Sequence, residues 1–208
     1  RAYYLANVTM IDEQVGRILE RLEQRGILDN SVVLFTSDHG DSLGDHGLVE
    51  KWNMYDSSVR VPLVVWSPGR YQGSRLSDAL IQWFDIGPTI LDLAGAKSDT
   101  PMEAQTLLPF LENQHAAERR RYLFSEHAPD VMLQNVGYLY MVRDERYKLV
   151  DYRGMGEGQL FDLESDPDET VDLWLDPGHQ ETRQRLQRAL DDWLASSTSD
   201  YAGWWLKT

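Results

Sequence analysis

The chain has 208 residues, 42% of them hydrophobic, which predicts a folded protein of one large domain or two small ones. It has no cysteine, which excludes disulfides, thiolate metal sites and a cysteine nucleophile, and no apolar run is long enough to span a bilayer. The formal net charge of -14 disfavours nucleic acid and acidic lipid surfaces as partners.

The first half of the chain has the pattern of an α/β sheet. Apolar residues between Leu5 and Leu22 recur every three or four positions, which predicts a helix over residues 1–25 that Gly26 ends. The apolar runs at residues 31–35 and 61–66 are typical of buried strands in a parallel sheet, and residues 85–95 predict another helix. We therefore expect part of a mixed, mainly parallel sheet flanked by helices. Because the chain opens inside a helix, we also expect it to be a piece of a longer protein.

The second half has a different pattern. Short strand-like segments at residues 122–125, 137–143, 147–152 and 159–163 alternate with polar turns, which predicts an antiparallel sheet. A helix is predicted over residues 180–194, and the aromatic tail at residues 201–205 is expected to pack on the body. We predict an α/β domain over residues 1–115 and a small α+β subdomain, with an antiparallel sheet and a C-terminal helix, over residues 116–208.

Polar chemistry is concentrated in residues 36–51, directly after the first predicted strand. Ligands of open α/β sheets bind at the carboxyl ends of strands, and Asp38 and His39 lie at this end. A neighbouring carboxylate and imidazole can bind one divalent cation, although a catalytic site needs three or more protein ligands. Lys51 could neutralise an oxygen of a sulfuryl or phosphoryl group beside that cation. The alternative is an ordinary solvated loop with an exposed lysine.

Other residues of this loop allow two interpretations. His46 could donate a proton or support the ligands, or it could make hydrogen bonds only within the loop. We interpret Asp41, Asp45 and Glu50 as loop charges, because many carboxylates would repel an anionic substrate. The glycines at positions 40, 44 and 47 would let the loop fold tightly.

Several sequence blocks occur in the order found in one enzyme family. They are Thr-Ser-Asp-His-Gly at residue 36, Val-Pro-Leu at 61, Asp-Ile-Gly-Pro-Thr at 85, Arg-Tyr-Lys-Leu-Val at 146, and Leu-Phe-Asp-Leu with Asp-Pro-Asp-Glu from 160. The chain thereby resembles the carboxyl-terminal part of type I sulfatases in the alkaline phosphatase superfamily. With histidine at position 39, it resembles bacterial sulfatases and phosphonate monoester hydrolases in particular.

The resemblance assigns roles to individual residues. It implies that Asp38 and His39 are metal ligands and that Lys51 binds the sulfate. It also implies structural roles for Tyr55 and Asp56, and helix capping and packing for the block at residues 85–89.

The resemblance also implies a reaction, the hydrolysis of an anionic sulfate ester. The reaction would need a divalent metal, which is usually Ca²⁺ in this family, with Mn²⁺ as the alternative. The family nucleophile is a formylglycine made from cysteine or serine in a short motif, and no such motif occurs here. We expect it in a missing amino-terminal half, so the chain alone should be inactive and should need that half, or a second copy, to cover its apolar surface. The alternatives are a phosphonate or phosphate ester hydrolase and a non-catalytic binding module.

Overall fold

The computed structural model describes residues 1–71, 73, 75–99, 102–112, 120–129 and 137–197. The chain divides into two compact units, one formed by residues 1–51 and 57–78 and the other by residues 52–56 and 79–208. The predicted boundary between residues 115 and 116 and the aromatic tail at 201–205 lie outside the described residues, so both stay predictions.

The first unit consists of a long helix and two strands. Helix α1 spans Ala2–Gln24, strand β1 spans Val33–Thr36, and strand β2 spans Leu63–Trp66. Short 3-10 turns lie at Leu28–Asn30 and Asp45–Gly47, and residues 57–59 of this unit belong to the one-turn helix α2, which spans Asp56–Val59. Helix α1 and both strands confirm the elements expected from periodicity. Gly26 follows α1 with a positive φ of 67°, the left-handed conformation that ends helices and that glycine adopts without steric cost.

Strands β1 and β2 pair with each other in antiparallel register, with Val33 opposite Trp66. The mainly parallel order of the larger sheet stays a prediction, because an apolar run of this kind does not reveal strand direction. Helix α1 has no buried residue, and its apolar side chains, such as Ile11 and Ile18, are 50–60% exposed. The apolar face of α1 is therefore exposed to solvent in this chain. None of the helices in the described residues combines the length and apolar character needed to cross a lipid bilayer.

The second unit is built on a four-stranded meander. The strands are β3 (Leu123–His127), β4 (Leu139–Arg143), β5 (Tyr147–Tyr152) and β6 (Glu157–Asp162). Each pairs antiparallel with the next, in the order β3-β4-β5-β6. The helices are α3 (Ile86–Leu93), α4 (Leu108–Glu112) and α5 (Gln180–Ser196), with 3-10 turns at Trp83–Asp85 and Pro177–His179. The predicted antiparallel sheet and C-terminal helix are confirmed.

The hydrophobic core of this unit lies between the sheet and α5. Val142, Leu149 and Leu160 stand side by side across β4, β5 and β6 and are fully buried. Leu186 and Leu190 of α5, one helical turn apart, pack against them. Fully burying side chains of this size contributes about 1.5–3 kcal/mol each, so this contact anchors the subdomain.

The start of α3 is organised by Asp85, which is fully buried. Its carboxylate accepts two hydrogen bonds from the Arg120 guanidinium, at 2.6 and 2.9 Å, and one from the backbone N–H of Gln82, at 2.8 Å. Thr89 donates to the Asp85 carbonyl and accepts from the N–H of Leu107. These contacts agree with the capping and packing roles expected for this block.

The other face of the sheet carries a fully buried lysine, Lys148 on β5. Its ammonium contacts the carboxylates of Asp56 and Glu169 and donates to the Met54 carbonyl, 3.0 Å away. Glu169 also accepts the backbone N–H of Asp56 at 2.6 Å. We call Lys148, Asp56 and Glu169 the buried lysine cluster. The ammonium therefore donates hydrogen bonds to Asp56 and to the Met54 carbonyl and forms an ion pair with Glu169.

Candidate functional site

The site begins where β1 ends, at Thr36. Asp38 follows two residues later with a side chain that is 76% exposed. The backbone N–H of His39 donates to Asp38 Oδ1 at 2.9 Å, and this hydrogen bond is the main reason that the pKa of Asp38 lies below its ordinary value. The carboxylate is therefore ionised and accessible, as a metal ligand must be.

The ring of His39 is held at both nitrogens. Nδ1 lies 2.7 Å from the Gly40 carbonyl oxygen, and Nε2 lies 2.7 Å from Lys51 Nζ. A carbonyl can only accept a hydrogen bond and an ammonium can only donate one. In this geometry Nδ1 donates a hydrogen bond to the Gly40 carbonyl, and Nε2 accepts one from the Lys51 ammonium. Nε2 also lies 3.5 Å from Asp38 Oδ2, so a nitrogen lone pair and a carboxylate oxygen face the same small space.

Lys51 reaches this space because the intervening loop folds back on itself. The backbone N–H of Ser42 donates to the Glu50 carbonyl at 2.9 Å, which joins the two sides of the loop next to Lys51. Asp41 Oδ1 accepts from the backbone N–H groups of Leu43, at 2.9 Å, and Glu50, at 3.2 Å. Asp41 thus closes the loop, a role that sequence reasoning did not assign. Aspartate side chains often stabilise turns by accepting a hydrogen bond from the backbone N–H two residues later. The aspartate at position 41 was therefore the sequence feature from which this role could have been predicted.

The loop also carries backbone strain. Of the non-glycine residues with positive φ in the described ranges, Leu43, His46 and Glu50 lie here and only Glu169 lies elsewhere. Such conformations cost about 1–3 kcal/mol each and cluster at functional sites. His46 lies in the exposed 3-10 turn Asp45–Gly47 at the loop tip, and Asp45 pairs with Arg1. The contacts among Asp38, His39 and Lys51 do not include His46, so its role stays a prediction.

The donor set fits half of a divalent metal site. Asp38 offers carboxylate oxygen, the ligand of hard cations, and His39 offers a nitrogen whose tautomer is fixed by its other ring nitrogen. In the part of the chain that the structure describes, no group of three or more histidine, cysteine or acidic side chains could enclose a metal ion. A complete coordination sphere therefore needs donors in addition to this pair.

Comparison with known proteins places these features in a family. The family model of N-sulphoglucosamine sulphohydrolase, C-terminal, matches residues 44–196. An N-acetylglucosamine-6-O-sulfatase of Bacteroides thetaiotaomicron is 31% identical over 192 residues, which are 91% of this chain and 34% of that protein. This chain thus spans about a third of the length of that curated relative.

Solved structures share the fold. A protein in complex with its substrate D-glucosamine-2-N,6-O-disulfate superimposes with a TM-score of 0.84 at 28% identity, over 95% of this chain and 41% of that one. Phosphonate monoester hydrolase of Agrobacterium radiobacter superimposes with a TM-score of 0.82 at 30% identity, over 90% of this chain and 40% of that one. The family model, the relatives and the shared fold together show that this chain belongs to the C-terminal family of N-sulphoglucosamine sulphohydrolase, among the sulfatases of the alkaline phosphatase superfamily.

Proposed function

We propose that this chain forms the metal- and anion-binding part of a metal-dependent sulfatase that hydrolyses sulfate esters. The observation that supports the proposal best is the meeting of Asp38, His39 and Lys51: His39 Nε2 lies 3.5 Å from the Asp38 carboxylate and 2.7 Å from the Lys51 ammonium. Sulfate esters are tetrahedral anions. A cation with a nearby ammonium is the arrangement that stabilises charge on such a group.

Asp38 and His39 would hold the divalent cation. Carboxylate oxygen suits Ca²⁺, the usual metal of the family, whereas the imidazole nitrogen leaves Mn²⁺ as a second candidate. The cation would supply Lewis-acid stabilisation of a sulfuryl oxygen. Because this chain spans about a third of its curated relative, we propose that the other ligands lie elsewhere in a longer protein.

Lys51 would bind the anion. Its ammonium lies 2.7 Å from the His39 nitrogen, so it stands beside the donor set, and its exposed position leaves it reachable by a ligand. A positive charge here attracts a sulfate ester against the net charge of the whole chain. We propose His46 as a proton donor from the loop tip.

The nucleophile would come from outside these residues. A formylglycine would supply it in a sulfatase, and neither a cysteine nor a serine in the family motif occurs in this chain. We therefore propose that the chain alone is inactive. The exposed apolar face of α1 would be covered by the missing amino-terminal half or by a second copy of the chain.

A phosphonate or phosphate ester hydrolase is the second candidate. It is supported by the likeness to the phosphonate monoester hydrolase of Agrobacterium radiobacter, which matches as well as the sulfatases do. The same metal and lysine would serve either tetrahedral anion. A non-catalytic binding module is the third candidate, and it predicts that function is indifferent to Asp38→Ala.

The test is a comparison of two substrates in the full-length protein. Steady-state rates would be measured with an aryl sulfate and with an aryl phosphonate monoester that carries the same leaving group. A higher kcat/KM for the sulfate supports the sulfatase, and a higher value for the phosphonate supports the second candidate. The binding module would be favoured if the protein turned over neither compound nor any of a panel of sulfated sugars. In that case Asp38→Ala should also leave partner binding unchanged.

A further inference from the structure

The peptide that follows His39 is fixed in place on both sides. The backbone N–H of Gly40 donates to the Ser58 carbonyl at 2.7 Å, and the backbone N–H of Ser42 donates to the Glu50 carbonyl at 2.9 Å. Between these two points lies the Gly40 carbonyl, which accepts the Nδ1 proton of His39 at 2.7 Å. The acceptor for the imidazole is thus part of a pinned segment of backbone.

Gly40 is required here for space. A Cβ atom at this position would lie 2.0 Å from the Ser57 carbonyl oxygen, far inside van der Waals contact. Only glycine lets the two backbone segments approach closely enough for the hydrogen bond between Gly40 and Ser58. Ser42 and Ser58, both fully buried or nearly so, bring their hydroxyl oxygens within 3.3 Å of each other behind this contact.

We infer that Gly40 is a positioning residue: its carbonyl, held by the Ser57–Ser58 backbone, selects the His39 tautomer whose Nε2 can bind a divalent cation, which would replace the Lys51 N–H that Nε2 accepts in this structure. The inference rests on the proposed role of His39 as a metal ligand. Hydrogen bonds from the second ring nitrogen of a ligating histidine fix ring orientation, and their loss costs about 10–100-fold in metal affinity. Here the hydrogen-bond partner of His39 Nδ1 is the main-chain carbonyl oxygen of Gly40. No side-chain substitution removes that oxygen, so a substitution at Gly40 is the direct way to displace it.

The first measurement needs no change to the site. Long-range ¹H–¹⁵N spectra of the full-length protein with labelled histidine show which ring nitrogen of His39 carries the proton, and a His39→Asn variant assigns its signals. We expect the proton on Nδ1 before and after CaCl₂ is added, with the Nε2 resonance shifting on addition. A proton on Nε2, or a shift confined to Nδ1, would overturn the inference while leaving His39 a ligand.

A third result is distinguishable from these. If CaCl₂ moves neither ring nitrogen of His39, then His39 is not a ligand, and the proposed metal site fails together with the inference.

The second measurement compares two glycines of the same unit. Gly40→Ala forces a clash with the Ser57 carbonyl, and Gly69→Ala forces a similar one, with a Cβ 2.2 Å from the Asp29 carbonyl oxygen. We expect Gly40→Ala to weaken Ca²⁺ binding by about tenfold or more and to change the His39 tautomer. Gly69→Ala should change neither.

Equal loss of Ca²⁺ affinity in both variants would show general destabilisation and would contradict the assignment. If Gly40→Ala does not fold, the wild-type spectra still decide the question.

Discussion

Two clusters in this chain combine a lysine with an aspartate and a third polar side chain, and their surroundings differ completely. In the loop after β1, Lys51 is exposed and contacts His39 next to Asp38. In the buried lysine cluster, Lys148 has no solvent exposure and its ammonium contacts two carboxylates and a carbonyl. The side chains of the first cluster are reachable from solvent, so a ligand can replace their present partners, whereas the ammonium of the second cluster is closed off from any ligand.

The contrast between the two clusters distinguishes family sequence blocks that stabilise the fold from the block that carries the proposed site. Lys148 lies in the Arg-Tyr-Lys-Leu-Val block and Glu169 in the Asp-Pro-Asp-Glu block, and both meet Asp56, for which the resemblance implies a structural role. Two of the blocks that make the family recognisable therefore converge on one buried ion cluster. We infer that these blocks mark the fold, and that the Thr-Ser-Asp-His-Gly block marks the chemistry.

Replacing each lysine by alanine should separate the clusters by stability. Lys148→Ala leaves the buried carboxylate of Glu169 without its cation, whereas Asp56 keeps Arg143, 3.4 Å away; breaking a buried ion pair in this way typically costs about 3–5 kcal/mol of unfolding free energy. Lys51→Ala removes an exposed side chain and should cost less than about 0.5 kcal/mol. Urea unfolding of the two variants checks the difference, and equal destabilisation would remove the distinction drawn here.

The same substitutions should separate the clusters by activity in the opposite sense. Lys51→Ala should lower kcat of the full-length enzyme by about 100–1,000-fold, because one stabilising donor of the transition state is lost. Lys97→Ala, a change of another exposed lysine in a loop, serves as the matched control and should leave kcat unchanged. A Lys51→Ala enzyme with wild-type kinetics would show that this lysine is a bystander.

A third prediction uses a structural ion pair of the second unit. The Arg146 guanidinium donates twice to Asp162 and lowers the pKa of that carboxyl to about 2. Because the folded pKa lies below the unfolded value of about 4, this pair stabilises the fold above pH 4 and loses its contribution as pH falls toward 2.

Asp162→Asn should therefore lower the unfolding free energy at pH 7, by less than Lys148→Ala because Arg146 is half exposed. The difference in unfolding free energy between this variant and the wild type should disappear as the pH falls toward 2. Urea unfolding at pH 7, 4 and 2.5 measures this, and a gap that stays constant with pH would contradict the ion-pair origin.

Local patterns predicted much of this structure. The three-and-four spacing of apolar residues predicted α1 and α5, and alternating segments with polar turns predicted the meander. The Asp38–His39 pair stood out because it directly follows an apolar strand.

Contacts between distant residues could not be read in this way. Asp56 and Lys148 are 92 positions apart, and Asp56 and Glu169 are 113 apart, so no spacing rule connects them. The antiparallel pairing of β1 and β2 was also hidden, because an apolar run looks the same in either direction. Likewise, Gly40 was expected to tighten the loop, but its contact with residues 57–58 depends on the fold.

Calcium titration of the full-length protein by calorimetry tests the central claim most directly, namely that Asp38 and His39 hold a divalent cation. Asp38→Ala and His39→Ala should each weaken Ca²⁺ binding by at least about tenfold while the unfolding midpoint of the metal-free protein stays unchanged. Asp45→Ala, in the same loop, should bind as wild type does. Wild-type affinity in both ligand variants would contradict the account.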